Sequence, residues 1–167
     1  MTTRLYWIDG PLPGKLAMAS RPRGGDWLAD EIASWQSAGV GIVLSLLTAE
    51  EEGTLELQRE EATVKGLGMD FLSLPIPDRQ VPDSETQVAA AVERLNARLR
   101  SGGNAVIHCR QGVGRSGLIA ACLLVSRGMD SAAAVQRVSA ARGVAVPETT
   151  GQRHWIDHYA ATLASQR

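Results

Sequence analysis

The run Asn104-Ala105-Val106-Ile107-His108 has strand length and is apolar at its centre. It passes directly into Cys109-Arg110-Gln111-Gly112-Val113-Gly114-Arg115, and then into the nearly all-apolar stretch Ser116 to Ser126. An apolar run of that length fits a strand covered on both faces. The stretch that follows has almost no polar side, so as a helix it belongs in the middle of the molecule. A buried strand feeding a glycine loop and a central helix implies an α/β layered fold with a mainly parallel sheet flanked by helices. In open sheets of this kind ligands bind off the carboxyl ends of the strands, which is where residues 109–115 stand.

The rest of the chain alternates in the same way. Lys15 to Ser20 reads as an early strand, Asp26 to Ser37 as a helix with the apolar residues Trp27, Leu28, Ile32 and Trp35 at helical spacing, and residues 41–47 as a second buried strand. Thr48-Ala49-Glu50-Glu51 has capping-box form and opens a short helix. Leu55 to Leu67 has the pattern of a further helix, and Met69 to Ile76 that of a strand. Pro75, Pro77 and Pro82 make the segment around Asp78 a loop. Asp83 or Ser84 caps a helix running to about Arg100, with Val88, Val92, Leu95 and Leu99 inward. Two last helices are expected near 131–142 and 149–164. With no repeat and no long linker, one domain over 1–167 is the expectation.

At 44% hydrophobic and 21% charged residues the composition is ordinary for a globular chain. A net charge of −1 argues against a general nucleic-acid or anionic-membrane binder, so any anion site must be local. No stretch approaches the length of a membrane span, and the first residues lack a signal-like apolar core. Two cysteines, Cys109 and Cys122, do not make a disulfide framework. A reducing cytoplasm is the expected home, and a reactive thiol would require one.

The loop has the parts that a phosphate dianion needs. Residues Arg110, Gln111, Gly112, Val113, Gly114 and Arg115 can turn successive backbone N–H groups inward as an anion nest. Gly112 and Gly114 permit positive φ and close backbone approach. A helix opening near Arg115 or Ser116 adds its dipole, and Arg115 supplies a planar fork suited to phosphate. The same positive surroundings favour the thiolate of Cys109, which turns a binding loop into one with a nucleophile beneath the phosphorus. Ser116 can donate its hydroxyl to the sulfur, and His108 is expected to orient the loop through hydrogen bonds. There is no G-x-x-x-x-G-K-[ST], so nucleoside triphosphate binding is unsupported.

His108-Cys109-x-x-Gly112-x-Gly114-Arg115-Ser116 resembles the signature of the protein tyrosine phosphatase superfamily, and the size of the chain resembles its dual-specificity branch. With Pro75-Ile76-Pro77-Asp78 upstream and Thr149-x-x-Gln152 downstream, the chain is most similar to the kinase-associated phosphatase (cyclin-dependent kinase inhibitor 3-like) group. The resemblance implies a dual-specificity phosphatase-like fold and a phosphocysteine intermediate, with neither metal nor other cofactor. It also implies a phosphorylated protein as substrate, and Asp78 as the acid that protonates the leaving oxygen. Asp83, beside Ser84, reads instead as a helix N-cap. Where several family members carry a glutamine ahead of the Thr-x-x-Gln segment, this chain has Glu148; Gln152 keeps the second position and is a supporting candidate.

Three rivals stay open on the residues. A phosphoinositide or small-phosphate phosphatase is kept in view by Arg110, although Gln111 and Val113 stand where lipid phosphatases often carry lysine. A catalytically dead phosphate-binding module would not need Cys109, Arg115 and Asp78 together. A sulfur-transferring or arsenate-reducing enzyme would use a similar cysteine-to-arginine spacing, but arsenate reduction needs more redox cysteines than Cys122, which lies roughly 10 Å along the helix from the loop and reads as a core thiol. His154 and His158, four apart with no third ligand evident, read as a helix surface rather than a zinc site.

Overall fold

The computed structural model describes residues 3–166. In chain order its elements are β1 (Tyr6–Ile8), β2 (Leu16–Ala19), a 3-10 turn (Gly25–Trp27), α1 (Leu28–Ser37), β3 (Val40–Ser45), α2 (Ala49–Thr54) and α3 (Glu60–Gly66). β4 (Asp70–Ser73), α4 (Glu85–Arg100), β5 (Asn104–His108), α5 (Gly114–Ser126), α6 (Ser131–Arg142) and α7 (Thr150–Ser165) complete it. The sheet order is β1-β2-β5-β3-β4. β5 lies at its centre, parallel to both β2 and β3; β3 and β4 are also parallel, and β1 alone runs antiparallel, against β2. Ala19, Ser45 and His108 are level in the register, so three carboxyl ends open on one place.

The pleat divides β5 between two cores. Ala105 and Ile107 join the larger core, with α4, α5 and the inner residues of α6 and α7. Val106 joins the smaller one, with Ile32 and Trp35 of α1 and Val64 of α3. α5 is buried from Gly114 to Val125, and fully burying one such leucine or isoleucine stabilises by about 1.5–3 kcal/mol. Gly117 is where α5 meets the segment before α7: a Cβ there would stand 2.8 Å from Val146 Cβ.

Several expectations shift. β1 was not anticipated; three residues at a sheet edge, two of them half-buried, carry little periodicity. α3 begins at Glu60 rather than Leu55. Glu56 takes φ +57, rare for a non-glycine, and its carbonyl accepts from Gly25 N–H (3.0 Å) while Leu57 is buried, so the chain turns there instead of coiling. β4 stops at Ser73, although Leu74 and Ile76 N–H still reach the carbonyls of Ser45 and Leu46. α5 starts at Gly114, a residue or two ahead of the expected opening. Ser84, not Asp83, caps α4, its hydroxyl accepting from Gln87 N–H at 3.1 Å. The capping box at Thr48 and Glu51 is present as the sequence implied, and a second closes on Thr149 and Gln152.

Candidate active site

β5 ends at His108, whose carbonyl accepts from Leu46 N–H (3.0 Å), and the chain turns at once into the glycine loop. Cys109 is 2% exposed. Its sulfur receives the Gly112 N–H at 3.3 Å, and Ser116 Oγ lies 3.3 Å away on the first turn of α5. Gly112 has φ +71, and a Cβ there would come within 2.6–2.7 Å of the Ala19–Ser20 backbone. Both conformation and space therefore require glycine. Gly114 serves differently: it is helical, and its bare Cα makes room for the Glu148 carboxylate and the Gln152 amide, 2.5 and 3.1 Å from where a Cβ would be.

The loop is held open from outside. Arg21 N–H donates to the Arg110 carbonyl (3.2 Å). Arg142, the last residue of α6, donates to the carbonyls of Gly112 (2.8 Å) and Gln111 (3.2 Å) while its guanidinium stacks 4.1 Å from the Tyr6 ring. In a planar trans peptide the following N–H points the opposite way. Carbonyls of 110, 111 and 112 drawn outward thus send the amides of 111, 112 and 113 inward, as an anion nest requires. Sequence reasoning missed Arg142, because a basic residue in a last helical turn reads as a partner for the helix dipole.

Arg115 is 2% exposed. Nη1 donates to Glu51 Oε1 (2.6 Å) and to the Ile76 carbonyl (2.7 Å), and Nη2 donates to Glu51 Oε2 (2.9 Å). Nε has no protein partner among the described residues, so the Nε–Nη2 edge is the one that can face a phosphate. Burial works to raise the Glu51 carboxyl, but hydrogen bonds from Arg115 and the Thr48 amide outweigh it and hold it below the usual carboxylate range. Burial likewise disfavours the Arg115 cation, and Glu51, Cys109 and Asp78 more than restore it. Glu51 was legible only as a helix cap; its second role needed the fold.

Asp78 lies in the proline loop, half-exposed, with Oδ1 3.2 Å from Arg115 Nη2. Arg79 has φ +63, and Gln80 N–H closes the turn on the Pro77 carbonyl at 2.9 Å. Two contacts tie this turn to the α7 end: Arg79 Nη1 to Glu148 Oε2 (3.1 Å), and Gln152 Nε2 to the Gln80 carbonyl (3.1 Å). Gln152 is fully buried and its Oε1 accepts from the Glu148 and Thr149 amides. It clips the Asp78 loop to α7. Asp83 is exposed and makes no hydrogen bond or ion pair among the described residues.

Of the other expected residues, Arg110 and Gln111 are exposed on the loop rim, and Val113, at the N-cap of α5, packs partly on the larger core. The His108 ring does not bond the loop; Nε2 meets Glu60 Oε2 at 2.6 Å. Cys122 is fully buried, and burial pushes its thiol well up. His158 pairs with Glu85 (2.9 Å). Among the described residues no helix is long and apolar enough to cross a membrane.

A sequence model of the phosphatase domain described as "Swiss Army Knife protein, DSP-PTPase phosphatase domain" matches residues 2–157. The chain belongs to this dual-specificity phosphatase family. Residues 2–157 are thus a phosphatase domain of the protein-tyrosine/dual-specificity kind. It is similar to cyclin-dependent kinase inhibitor 3 of Sus scrofa, 32% identical over 93 residues, which cover 54% of this chain and 43% of the pig protein, less than half its length. It is also similar to dual specificity phosphatase 28 of Mus musculus, 28% identical over 113 residues, 67% of this chain and 69% of that one. The crystal structure of kinase associated phosphatase, with its catalytic-site cysteine replaced by serine, superposes with a TM-score of 0.89 at 20% identity, covering 99% and 98% of the two chains. The expected placement in the dual-specificity branch therefore holds.

Proposed function

We propose that this phosphatase cleaves phosphomonoesters through a phosphocysteine intermediate, with phosphorylated protein, on tyrosine and on serine or threonine, as its substrate class. The observation that carries the reading is the convergence on one buried sulfur: Cys109 Sγ with the Gly112 N–H and Ser116 Oγ each at 3.3 Å, at the foot of the helix that carries Arg115. The Cys109 thiolate attacks phosphorus; the S–P bond forms as the ester P–O bond breaks, and Asp78 gives its proton to the departing oxygen. Water then attacks phosphorus, Asp78 takes the proton, and the S–P bond breaks to return thiolate and inorganic phosphate. The nest amides and the Nε side of Arg115 hold the non-bridging oxygens throughout. Gln111 and Val113 in place of lysines favour a protein over an inositol lipid. A nucleophilic thiolate fits a reducing compartment such as the cytoplasm.

The test is a substrate panel with Cys109→Ser as control. The wild type should hydrolyse an aryl phosphate in the presence of chelator, and phosphopeptides in preference to phosphoinositide vesicles. Cys109→Ser should abolish turnover while inorganic phosphate still binds, because the nest is made of backbone. Turnover by the serine variant, or a requirement for added divalent metal, would refute the mechanism. A preference for the vesicles would refute the substrate class.

A further inference from the structure

We propose that Glu60 is a positioning residue for the nucleophile, acting through His108; the inference rests on the phosphatase reading above and deepens it. His108 and Cys109 are consecutive but belong to opposite sides of the sheet. Cys109 lies with the larger core, whereas the His108 ring sits 5.8 Å from the Trp35 ring on the side of the smaller one. There Nε2 and Glu60 Oε2 approach to 2.6 Å, with side chains 0% and 2% exposed.

The remaining polar atoms of the pair stand idle. His108 Nδ1 and Glu60 Oε1 are buried with no protein partner among the described residues, as is the neighbouring Trp35 Nε1. The ring and the carboxylate are thus held to one another by a single bond, both buried from water. Two apolar side chains of similar volume would stabilise such a site at least as well. What they would not supply is a directional bond that fixes the His108 ring. The His108 carbonyl is already bound by Leu46 N–H, so fixing the ring leaves one direction in which the chain can leave β5. That direction sets Cys109 Sγ between the Gly112 amide and Ser116 Oγ.

Glu60 also completes a pattern. It and Glu51 both lie on the helical excursion between β3 and β4. Glu51 holds Arg115 at the far end of the loop, and Glu60 holds the residue just before Cys109. One segment therefore braces the loop at both ends. Errors of an ångström in the placement of a reacting group can cost about 10²-fold in rate, so such bracing has a kinetic consequence separate from stability.

The experiment compares Glu60→Ala, Glu60→Gln and the apolar pair Glu60→Leu with His108→Phe in the full chain. It reads aryl phosphate turnover, inhibition by inorganic phosphate, thermal melting, and the rate of Cys109 alkylation by iodoacetamide followed by mass. Glu60→Ala should lose about 10- to 100-fold in kcat, up to the cost of an ångström of misplacement at the nucleophile. Phosphate affinity should change little, since Arg115 and the nest are untouched. Glu60→Gln can remake the bond and should recover most of the rate. The apolar pair should melt like the wild type yet turn over as slowly as Glu60→Ala, and alkylation should slow in both. A folded Glu60→Ala or apolar-pair protein with wild-type kcat and alkylation rate overturns the proposal, as does Glu60→Gln no faster than Glu60→Ala. If Glu60→Ala does not fold, the apolar pair decides. If the wild type cleaves no phosphate ester, the phosphatase reading fails on its own, and the alkylation rates still decide for or against Glu60.

Discussion

Arg115 and Glu51 meet fork to fork, Nη1 to Oε1 at 2.6 Å and Nη2 to Oε2 at 2.9 Å, on side chains 1% and 11% exposed. A planar guanidinium held along one edge presents its other edge in a fixed direction. The pair therefore aims Arg115 in advance of substrate. Glu51→Ala should leave a buried cation without its carboxylate, at a cost of about 3–5 kcal/mol in stability. It should also lower kcat/KM by roughly 10²-fold through misdirected binding of the transition state. Glu51→Gln keeps one acceptor and should fall between. Chemical denaturation and steady-state kinetics on the two variants check both figures; equal kcat/KM in all three proteins would mean that the Ile76 carbonyl and α5 alone aim the arginine.

Asp78, in the proline loop, stands with Oδ1 3.2 Å from Arg115 Nη2. Asp78→Ala should lower kcat by about 10² to 10⁴ on esters with poor leaving groups, and by much less on activated aryl phosphates, whose oxygen departs without a proton. Asp83→Ala should be close to silent in both rate and stability, since the residue is exposed and does not cap α4. The cap belongs to Ser84, and Ser84→Ala should cost about 1 kcal/mol of stability with kcat unchanged. A leaving-group series on the three variants separates the roles.

The stability of the chain should fall in acid through two named carboxylates. Burial works to raise both Glu51 and Glu31, but hydrogen bonds dominate: Arg115 and the Thr48 amide on Glu51, the Thr3 and Arg23 amides and the Arg23 guanidinium on Glu31. Each ends below the ordinary value of 4.5. A group that ionises more readily folded than unfolded stabilises fully above its unfolded pKa, and that stabilisation disappears as the pH falls through the folded one. The stability gap between the wild type and Glu51→Gln or Glu31→Gln should thus be constant near neutrality and close below about pH 4. Urea denaturation across that range measures it. A gap that widens in acid would reverse the assignment.

What could be read from the sequence was whatever is local in the chain. β5, the glycine loop and the central helix are contiguous, so apolar run, glycines and arginine announce one another. The capping box at Thr48 is a four-residue pattern and was equally plain. The supports of the loop are remote: Glu51, Glu60 and Arg142 reach it from 64, 48 and 30 residues away. Each looked like an ordinary helix-terminal charge, and only the sheet order β2-β5-β3 brings them together. Glu56 shows the other limit. Periodicity carried a helix through it, whereas its carbonyl is fixed by Gly25, a partner on another turn of the chain.

Ser116 should act chiefly in the second half-reaction. Its Oγ lies 3.3 Å from Cys109 Sγ, inside a fully buried first turn of α5. In the first step the sulfur loses charge as it bonds phosphorus, so a hydroxyl donating to it gives no help there. In the second step the S–P bond breaks and negative charge returns to sulfur, where the hydroxyl donates to it as it develops. A hydrogen bond to a charged group is worth about 1.5–3 kcal/mol, which is roughly ten- to hundredfold in rate. Ser116→Ala should therefore accumulate phosphoenzyme, releasing a burst of leaving group equal to the enzyme concentration before a slow steady state. Rapid mixing with an aryl phosphate, and mass detection of a phosphate on Cys109, resolve the two phases. A variant slowed in its first turnover with no burst would place Ser116 in the folding of the loop and leave the return of the thiolate to the Gly112 amide.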